Sequence, residues 1–298
     1  MGTFWSPLRY PGGKQRLAPF ISEILSENQI DGNYVEAFAG GAGIAINLLL
    51  SKKIKHIHLN DSDIGVYAFW HSIVNHGEEF CRSILKASLT IEEWKRRKQI
   101  LKQSDHKDLF ELGFSFFYLN RCNRSGVING GVIGGLNQTG KYKIDARFQR
   151  NDLIRRIEAI SQYKENISLY NLDAKDFINQ EISRLPSNTL IYFDPPYFYK
   201  SNELYMSHYK KRDHIELAEI IQNSVLHKWL LSYDKVPEIM ELYKYRRQII
   251  YELQYNAARI YKGNEIFVFS DALNIPLESS LSNINSVING IPAIQNLP

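Results

Sequence analysis

Between Tyr34 and Asn60 the sequence runs through a short apolar stretch, a glycine-rich turn, an apolar helix and a second apolar stretch. Tyr34–Phe38 reads as a strand, Ala39-Gly40-Gly41-Ala42-Gly43 as the turn, Ile44–Leu50 as the helix and His56–Asn60 as the second strand. Strand, glycine turn, helix and strand within about thirty residues form the first half of a nucleotide-binding α/β unit. Glycines at such a turn let backbone N–H groups and the helix N-terminus approach a ligand closely. Packed turns use glycine as well, so the turn needs a partner before it points to a cofactor.

That partner stands at the end of the second strand, in Asn60-Asp61-Ser62-Asp63. An acid about eighteen residues after the glycines, at the carboxyl end of the second strand, is where a ribose hydroxyl pair is bound. Asp61 and Asp63 both qualify, Asp61 lying nearer the strand end; the competing reading is a helix cap. A dinucleotide fingerprint starting at Gly41 would need glycine at position 46, where Ile46 stands, so a single adenosine-bearing cofactor fits better than a nicotinamide dinucleotide.

The rest of the chain fills in an α/β core with an insertion. Residues 64–117 are mostly helical in periodicity, with helices at Ile91–Lys102 and Leu109–Leu119. Residues 120–140 are rich in Gly and Asn, as loops and tight turns are. Strand patterns return at Ile167–Leu172, Thr189–Phe193, Trp229–Ser232 and Glu265–Ser270. The expected division is a catalytic domain of residues 1–62 and 166–271, an inserted segment of 63–165 carrying a hairpin or loop, and an irregular tail of 272–298.

Leu190-Ile-Tyr-Phe-Asp194-Pro195-Pro196-Tyr197 is the most informative stretch. An apolar strand ends, and an acid, two prolines and an aromatic follow at once. The prolines stop the ladder and fix the backbone, so carboxylate, carbonyl and ring are held rigidly at the strand end, the edge where ligands of open α/β sheets bind. Asp194 and the Pro195 carbonyl are suited to accept the two hydrogens of an exocyclic amine while Tyr197 stacks on the ring that bears it. A proline-rich turn with an Asp cap is the competing reading, and the upstream glycine turn weighs against it.

In this order the motifs resemble the DNA adenine-N6 methyltransferases of the Dam type, in which the cofactor motif comes first, target recognition is inserted and DPPY comes last. Arg9-Tyr-Pro-Gly-Gly-Lys14 resembles the family's N-terminal motif, Glu36–Gly43 its glycine motif and Asn60-Asp61 its ribose motif. Asp194–Tyr197 matches its catalytic motif, and Leu119-Asn-Arg121 with the following glycine-rich segment resembles its target-recognition region. Trp229-Leu-Leu-Ser-Tyr-Asp234 and Lys262-Gly-Asn-Glu-Ile266 fit the same pattern, and the likeness covers about residues 5–270. Departures are Ala37, where proline is common, and Ala42, where glycine is common.

The resemblance implies a Rossmann-like core that transfers a methyl group from S-adenosylmethionine to the N6 amine of adenine in double-stranded DNA, with the base flipped out. It implies a catalytic role for Asp194, Pro195, Pro196 and Tyr197, and cofactor contacts from Tyr10, Gly12, Gly13, Lys14, Phe38, Gly40, Gly41, Gly43, Asp61, Asp173 and Asp194. Lys14 taken alone reads as a solvated lysine; its role comes from the resemblance. No metal site is expected, since there is no HExxH and no close Cys/His cluster. His56 and His58 share one strand face and read as structural.

Charge places the substrate. The chain carries a net +4, yet between Arg121 and Arg156 eight basic residues face only Asp145 and Asp152, so this window holds +6 and the remainder −2. Basic residues interleaved with Asn and Gln in a glycine-rich loop suit phosphate positioning and base-edge contact. Asn120, Arg121, Asn123, Arg124, Lys141, Lys143 and Arg147 are the candidate DNA-binding residues, Arg121 and Arg124 the candidate base readers. Lys95-Arg-Arg-Lys98 reads as a solvated helix face.

The remaining composition, 298 residues with 44% hydrophobic, 23% charged and two cysteines, fits a globular chain without a disulfide framework. The longest apolar stretch, around Ala42–Leu50, is too short to span a bilayer, and the first twenty residues lack a secretory pattern. A cytoplasmic monomer or weak dimer is expected, compatible with a separately acting restriction endonuclease. Three other readings stay open on sequence: the same chemistry on RNA adenine or the cytosine N4 amine, a DNA-binding protein without turnover, and a nicotinamide oxidoreductase, which leaves the Asp-Pro-Pro-Tyr segment without a role.

Overall fold

The computed structural model describes residues 5–9, 14–103, 108–199, 209–256, 260–276 and 289–290. Its centre is one mixed sheet of β1 (Asn33–Glu36), β2 (His56–Asn60), β3 (Ile167–Tyr170), β4 (Thr189–Phe193), β5 (Lys228–Asp234), β6 (Arg247–Asn256), β7 (Ile260–Phe269) and the two-residue β8 (Asn289–Gly290), in the order β3-β2-β1-β4-β5-β7-β6-β8. The five strands β1 to β5 are parallel, and β7 runs antiparallel between β5 and β6. From β1 the chain moves outward to β2 and β3, then returns to β4 on the other side of β1. This reversal opens a crevice at the carboxyl ends of β1 and β4, where doubly wound sheets bind ligands. The fold is the expected Rossmann-like α/β class.

Both sheet faces are covered, so the central strands are apolar on both sides rather than alternating with polar residues. Tyr34, Leu190, Tyr192 and Leu230 enter one core; Val35, Ile191, Phe193 and Leu231 enter the other. The second core is closed by α8 (Ala174–Gln180), α9 (Lys211–Ser224) and α10 (Pro237–Leu242). The first is closed by α1 (Ala18–Glu27) and α2 (Gly43–Leu50) and continues without a break into α3 (Ile64–Asn75), α4 (Gly77–Lys86), α5 (Ile91–Lys102), α6 (Leu109–Cys122) and α7 (Arg150–Ser161). The described residues of 63–165 therefore share this core with the sheet. A Cβ on Gly113 of α6 would stand 2.4 Å from the Ala68 carbonyl oxygen of α3, so glycine is what lets these two helices cross so closely.

Several details differ from the sequence reading. Strand β6 falls where no strand is expected, because Ile249 and Ile250 are adjacent and blur the alternation. Strand β7 begins at Ile260, five residues before the expected start. The glycine-rich segment contains one isolated antiparallel bridge, Asn123 to Val132, rather than a regular hairpin. In the tail, residues 272–276 hold no helix or strand, while Asn289 and Gly290 pair with β6. The basic helix α5 is not solvated throughout: Arg97 is buried and pairs with Glu93 at 2.6 Å and Glu111 at 2.9 Å. His56 and His58 bond within the sheet, to Ser168 and to Tyr170 and Asn33. Among the described residues, no helix is long and apolar enough to cross a membrane.

Candidate active site

Strand parity builds the site. Asp194 follows β4 two residues after Tyr192 and so lies on the same face. In β5, Ser232 shares the face of Leu230, and in β7, Glu265 shares the face of Phe267, all toward the first core. Tyr251 of β6 is the direct cross-strand partner of Glu265. Side chains from four adjacent strands thus converge beneath the Asp-Pro-Pro-Tyr turn.

The turn is fixed from below at three points. The Ser232 hydroxyl donates to Asp194 Oδ1 at 2.7 Å, and the same hydroxyl is bonded to that of Tyr192 at 2.7 Å. The Tyr197 hydroxyl donates to Glu265 Oε1 at 3.0 Å, and the Phe198 N–H to Asp234 Oδ1 at 3.0 Å. Pro195, Pro196 and Tyr197 are buried, and Asp194 is half-buried.

Lys14 occupies the centre of this arrangement. Far from being solvated, it is 5% exposed, with Nζ 3.2 Å from Asp194 Oδ1, 3.0 Å from Glu265 and 3.4 Å from the Tyr197 hydroxyl. Burial opposes its charge, but Asp194 and Glu265 outweigh burial and hold the ammonium well above its ordinary pKa. Burial also pushes the Glu265 carboxyl up, with Lys14 pulling the other way. Among the described residues, both bonds to the Asp194 carboxylate fall on Oδ1 and none on Oδ2. One oxygen of the pair is anchored from within the fold.

The glycine turn lies at the adjacent strand end. The Gly40 N–H donates to Asp61 Oδ2 at 2.8 Å, the Gly40 carbonyl accepts from Trp70 Nε1 at 2.9 Å, and the Gly41 carbonyl accepts from the Ser6 hydroxyl. Ala42 has φ +44° and enters the left-handed region, which explains why glycine is the commoner choice there. Glu36 is buried at the end of β1, accepts the Ala45 N–H at 2.9 Å, and its carboxyl is pushed up to about 8 by burial.

The two aspartates separate cleanly. Asp63 caps α3, accepting the Gly65 N–H at 2.8 Å, whereas Asp61 ties the turn to the strand and carries a carboxyl raised to about 7 by burial and by Asp63. Phe38 packs edge-on to Tyr209, with ring centroids 6.0 Å apart. Asp173 is exposed and caps α8 through the Lys175 N–H at 2.9 Å. Tyr10, Gly12 and Gly13 lie outside the described residues.

A family model of D12 class N6 adenine-specific DNA methyltransferases matches residues 10–258. The chain belongs to this family. It is an adenine-specific DNA methyltransferase, as the motif order leads one to expect. No curated protein matches the sequence. Among solved structures it is similar to the rRNA methyltransferase aviRa of Streptomyces viridochromogenes, at 10% identity over 92% of this chain and 89% of that one, TM-score 0.39. It is also similar to protein LPL1258 of Legionella pneumophila, at 10% identity over 95% and 90% of the two chains, TM-score 0.39.

In this methyltransferase the basic segment divides into inward and outward groups. Asn120 is buried; its Oδ1 accepts the Arg9 N–H at 2.8 Å, and its Nδ2 donates to the carbonyls of Arg9 at 2.9 Å and Gly126 at 3.0 Å. Asn123 is also buried, accepting from Trp94 Nε1 at 2.7 Å and donating to the Val127 and Ile128 carbonyls. Both amides thus shape the loop from within and present no edge to a base. Arg121 is half-buried, its Nε donating to the Arg147 carbonyl at 2.7 Å, and burial and then Arg9 push its guanidinium down to about 9. Arg150 donates inward to the Ile84 and Ala87 carbonyls, and Arg156 to that of Ser6. Arg124, Lys141, Lys143 and Arg147 are exposed.

Ser232, Glu265 and Tyr251 are the site residues that sequence reasoning passed over. Two of them lie in quoted motifs, but their roles depend on strand parity and on β6, which was not expected.

Proposed function

We propose that the enzyme uses S-adenosylmethionine to methylate the N6 amine of an adenine flipped out of double-stranded DNA. The observation that carries this reading is the Asp194 carboxylate, anchored through Oδ1 by Ser232 and Lys14 at the head of the Asp-Pro-Pro-Tyr turn.

The crevice suits the methyl donor. Asp61, half-buried and already bonded to Gly40, has the acceptor chemistry a ribose diol needs, beside a turn of buried glycines that admits close approach. Phe38, Gly40, Gly41, Gly43 and Asp61 would hold the adenosine portion, with Tyr10, Gly12 and Gly13 added by the resemblance. Lys14 acts through Asp194 in this reading, and Asp173 keeps the capping bond described above. When bound, S-adenosylmethionine supplies an electrophilic methyl group.

The protein's part is to make a poor nucleophile reactive, because the adenine amine shares its lone pair with the ring. Asp194 Oδ2 and the Pro195 carbonyl accept the two N–H groups and draw them out of the ring plane, localising the lone pair. Tyr197 stacks on the base, which offsets part of the few kcal/mol that extrusion costs by about 1–3 kcal/mol. Rate enhancement then comes from positioning and fixed dipoles.

Arg121, Arg124, Lys141, Lys143 and Arg147 are assigned to the duplex; Asn120 and Asn123 are left out because their amides bond internally. The same reading places the enzyme inside the cell as a monomer, able to protect DNA against a separate endonuclease. Expression in an unmethylated host followed by mapping of N6-methyladenine is the test. Product found as N4-methylcytosine or only in RNA would replace this reading with one of those chemistries.

A further inference from the structure

We propose that Glu265 is a positioning residue for methyl transfer, setting both the Lys14–Asp194 contact and the orientation of the Tyr197 ring. This rests on the functional reading above and adds to it a residue that does not touch the reacting atoms.

Glu265 is 1% exposed and lies at the bottom of the network rather than in the crevice. It receives the Lys14 ammonium at 3.0 Å, the Tyr197 hydroxyl at 3.0 Å and the Tyr251 hydroxyl. Three donors from the N-terminal segment, the Asp-Pro-Pro-Tyr turn and β6 therefore meet on one carboxylate. A buried carboxylate with three donors is a demanding arrangement, since removing any one leaves charge or lone pairs unsatisfied in a poorly solvated place. A lysine with a single acid for a partner would satisfy Asp194 alone. With two acids, its position is a compromise between them, and Glu265 keeps the ammonium from closing fully onto Oδ1.

The second effect concerns the ring. A tyrosine that stacks on a base needs its plane fixed in advance, because a ring free to turn loses part of the stacking gain to ordering. The hydroxyl of Tyr197, bonded to Glu265 and 3.4 Å from Lys14, is the handle by which the plane is fixed. Sequence position alone does not show this, since 68 residues separate Tyr197 and Glu265.

Glu265→Gln tests the proposal. The amide keeps the shape but loses the charge that balances Lys14, and its one oxygen cannot serve both tyrosines, which the carboxylate receives on separate oxygens, so the hold on Tyr197 is weakened as well. The expected result is a kcat for methyl transfer lowered about tenfold to a hundredfold, the range of a small misplacement away from the reacting atoms. Dissociation constants for S-adenosylmethionine and for DNA should stay within about threefold, since the carboxylate contacts neither. With 2-aminopurine at the target position, fluorescence of the complex should rise as the stack loosens.

Tyr197→Phe keeps the ring and removes the handle; it should lower kcat in the same direction, and the double variant should lose no more than Glu265→Gln alone, because both changes cut one link. Losses that multiply, or a Glu265→Gln enzyme with kcat and fluorescence like the wild type, overturn the proposal. Should Glu265→Gln fail to fold, Tyr197→Phe decides: unchanged kcat and unchanged fluorescence overturn it. A wild-type enzyme that modifies no adenine in DNA overturns this role together with the functional reading, whereas an active wild type with an unaffected variant overturns the role alone.

Discussion

Asp194 is held asymmetrically, with Oδ1 bonded to Ser232 and Lys14. Replacing it with alanine removes the proposed amine acceptor while leaving the basic surface intact. Asp194→Ala should therefore lower transfer at least about a thousandfold with DNA affinity unchanged, measured by labelled-methyl incorporation beside a binding titration. Retained N6-methyladenine formation would remove Asp194 from the mechanism. Asp61 offers a pH test at the same scale. Its carboxyl is raised to about 7, and a hydroxyl pair is bound by the ionised form. Affinity for S-adenosylmethionine should rise as pH climbs toward about 7 and level off above it, and Asp61→Asn should flatten the curve. Calorimetry from pH 5.5 to 8.5 decides this; an equal slope in the variant assigns the titration to another group.

Among the elements, the turn Arg124-Ser125-Gly126 joins the basic segment to the N-terminal one. Gly126 has φ +78°, and a Cβ there would fall 2.1 Å from the Arg9 carbonyl oxygen, while Asn120 bonds both backbone polar groups of Arg9. Gly126→Ala should cost at least about 2 kcal/mol and weaken DNA binding, seen as a lower Tm and a higher Kd; a variant of wild-type stability would show that the two segments are not locked together. The exposed cations differ among themselves in what they should read out. Lys141→Ala should reduce the salt slope of DNA binding by about one unit, and a base-reading Arg124 should, when replaced, relax sequence preference. If Arg124→Ala changes neither affinity nor preference, its assignment falls.

The elements also show what was legible in advance. Strand, glycine turn and Asp-Pro-Pro-Tyr announced themselves because each depends on residues adjacent in sequence. The internal bonds of Asn120 and Asn123 were not legible, since an asparagine in a basic loop looks the same whether its amide faces a base or a carbonyl of its own chain. Ser232 and Glu265 come together through the register of β5 with β7, Lys14 reaches them from the N-terminal segment, and Tyr251 joins through β6, where Ile249-Ile250 hid the alternation.

For the whole molecule, burial of polar groups around one crevice has a thermodynamic signature. Glu36 and Asp61 carry carboxyls raised to about 8 and about 7, so the folded chain keeps protons that the unfolded chain releases from about pH 4 upward. The stability they contribute is complete below the ordinary carboxylate range and is lost as pH rises through 7 and 8. Without ligand, the Tm should fall between pH 5.5 and 9, and Glu36→Gln, which keeps an acceptor for the Ala45 N–H, should shallow the fall. A flat profile would contradict this account. At the same scale the +6 window is tempered by its own structure, because Arg150 and Arg156 turn inward and Arg121 is half-buried.

The N-terminal segment reaches both halves of the task, with Arg9 clasped by Asn120 at the basic loop and Lys14 set under Asp194. For anyone exchanging recognition loops between enzymes of this kind, the transplant is larger than the loop. A graft of residues 120–147 brings a foreign partner to Arg9, which stands only five positions before the lysine bonded to Asp194. Chimeras that carry the donor's own residues 5–14 together with its loop should keep their turnover, and those that carry the loop alone should bind new sequences and methylate them slowly.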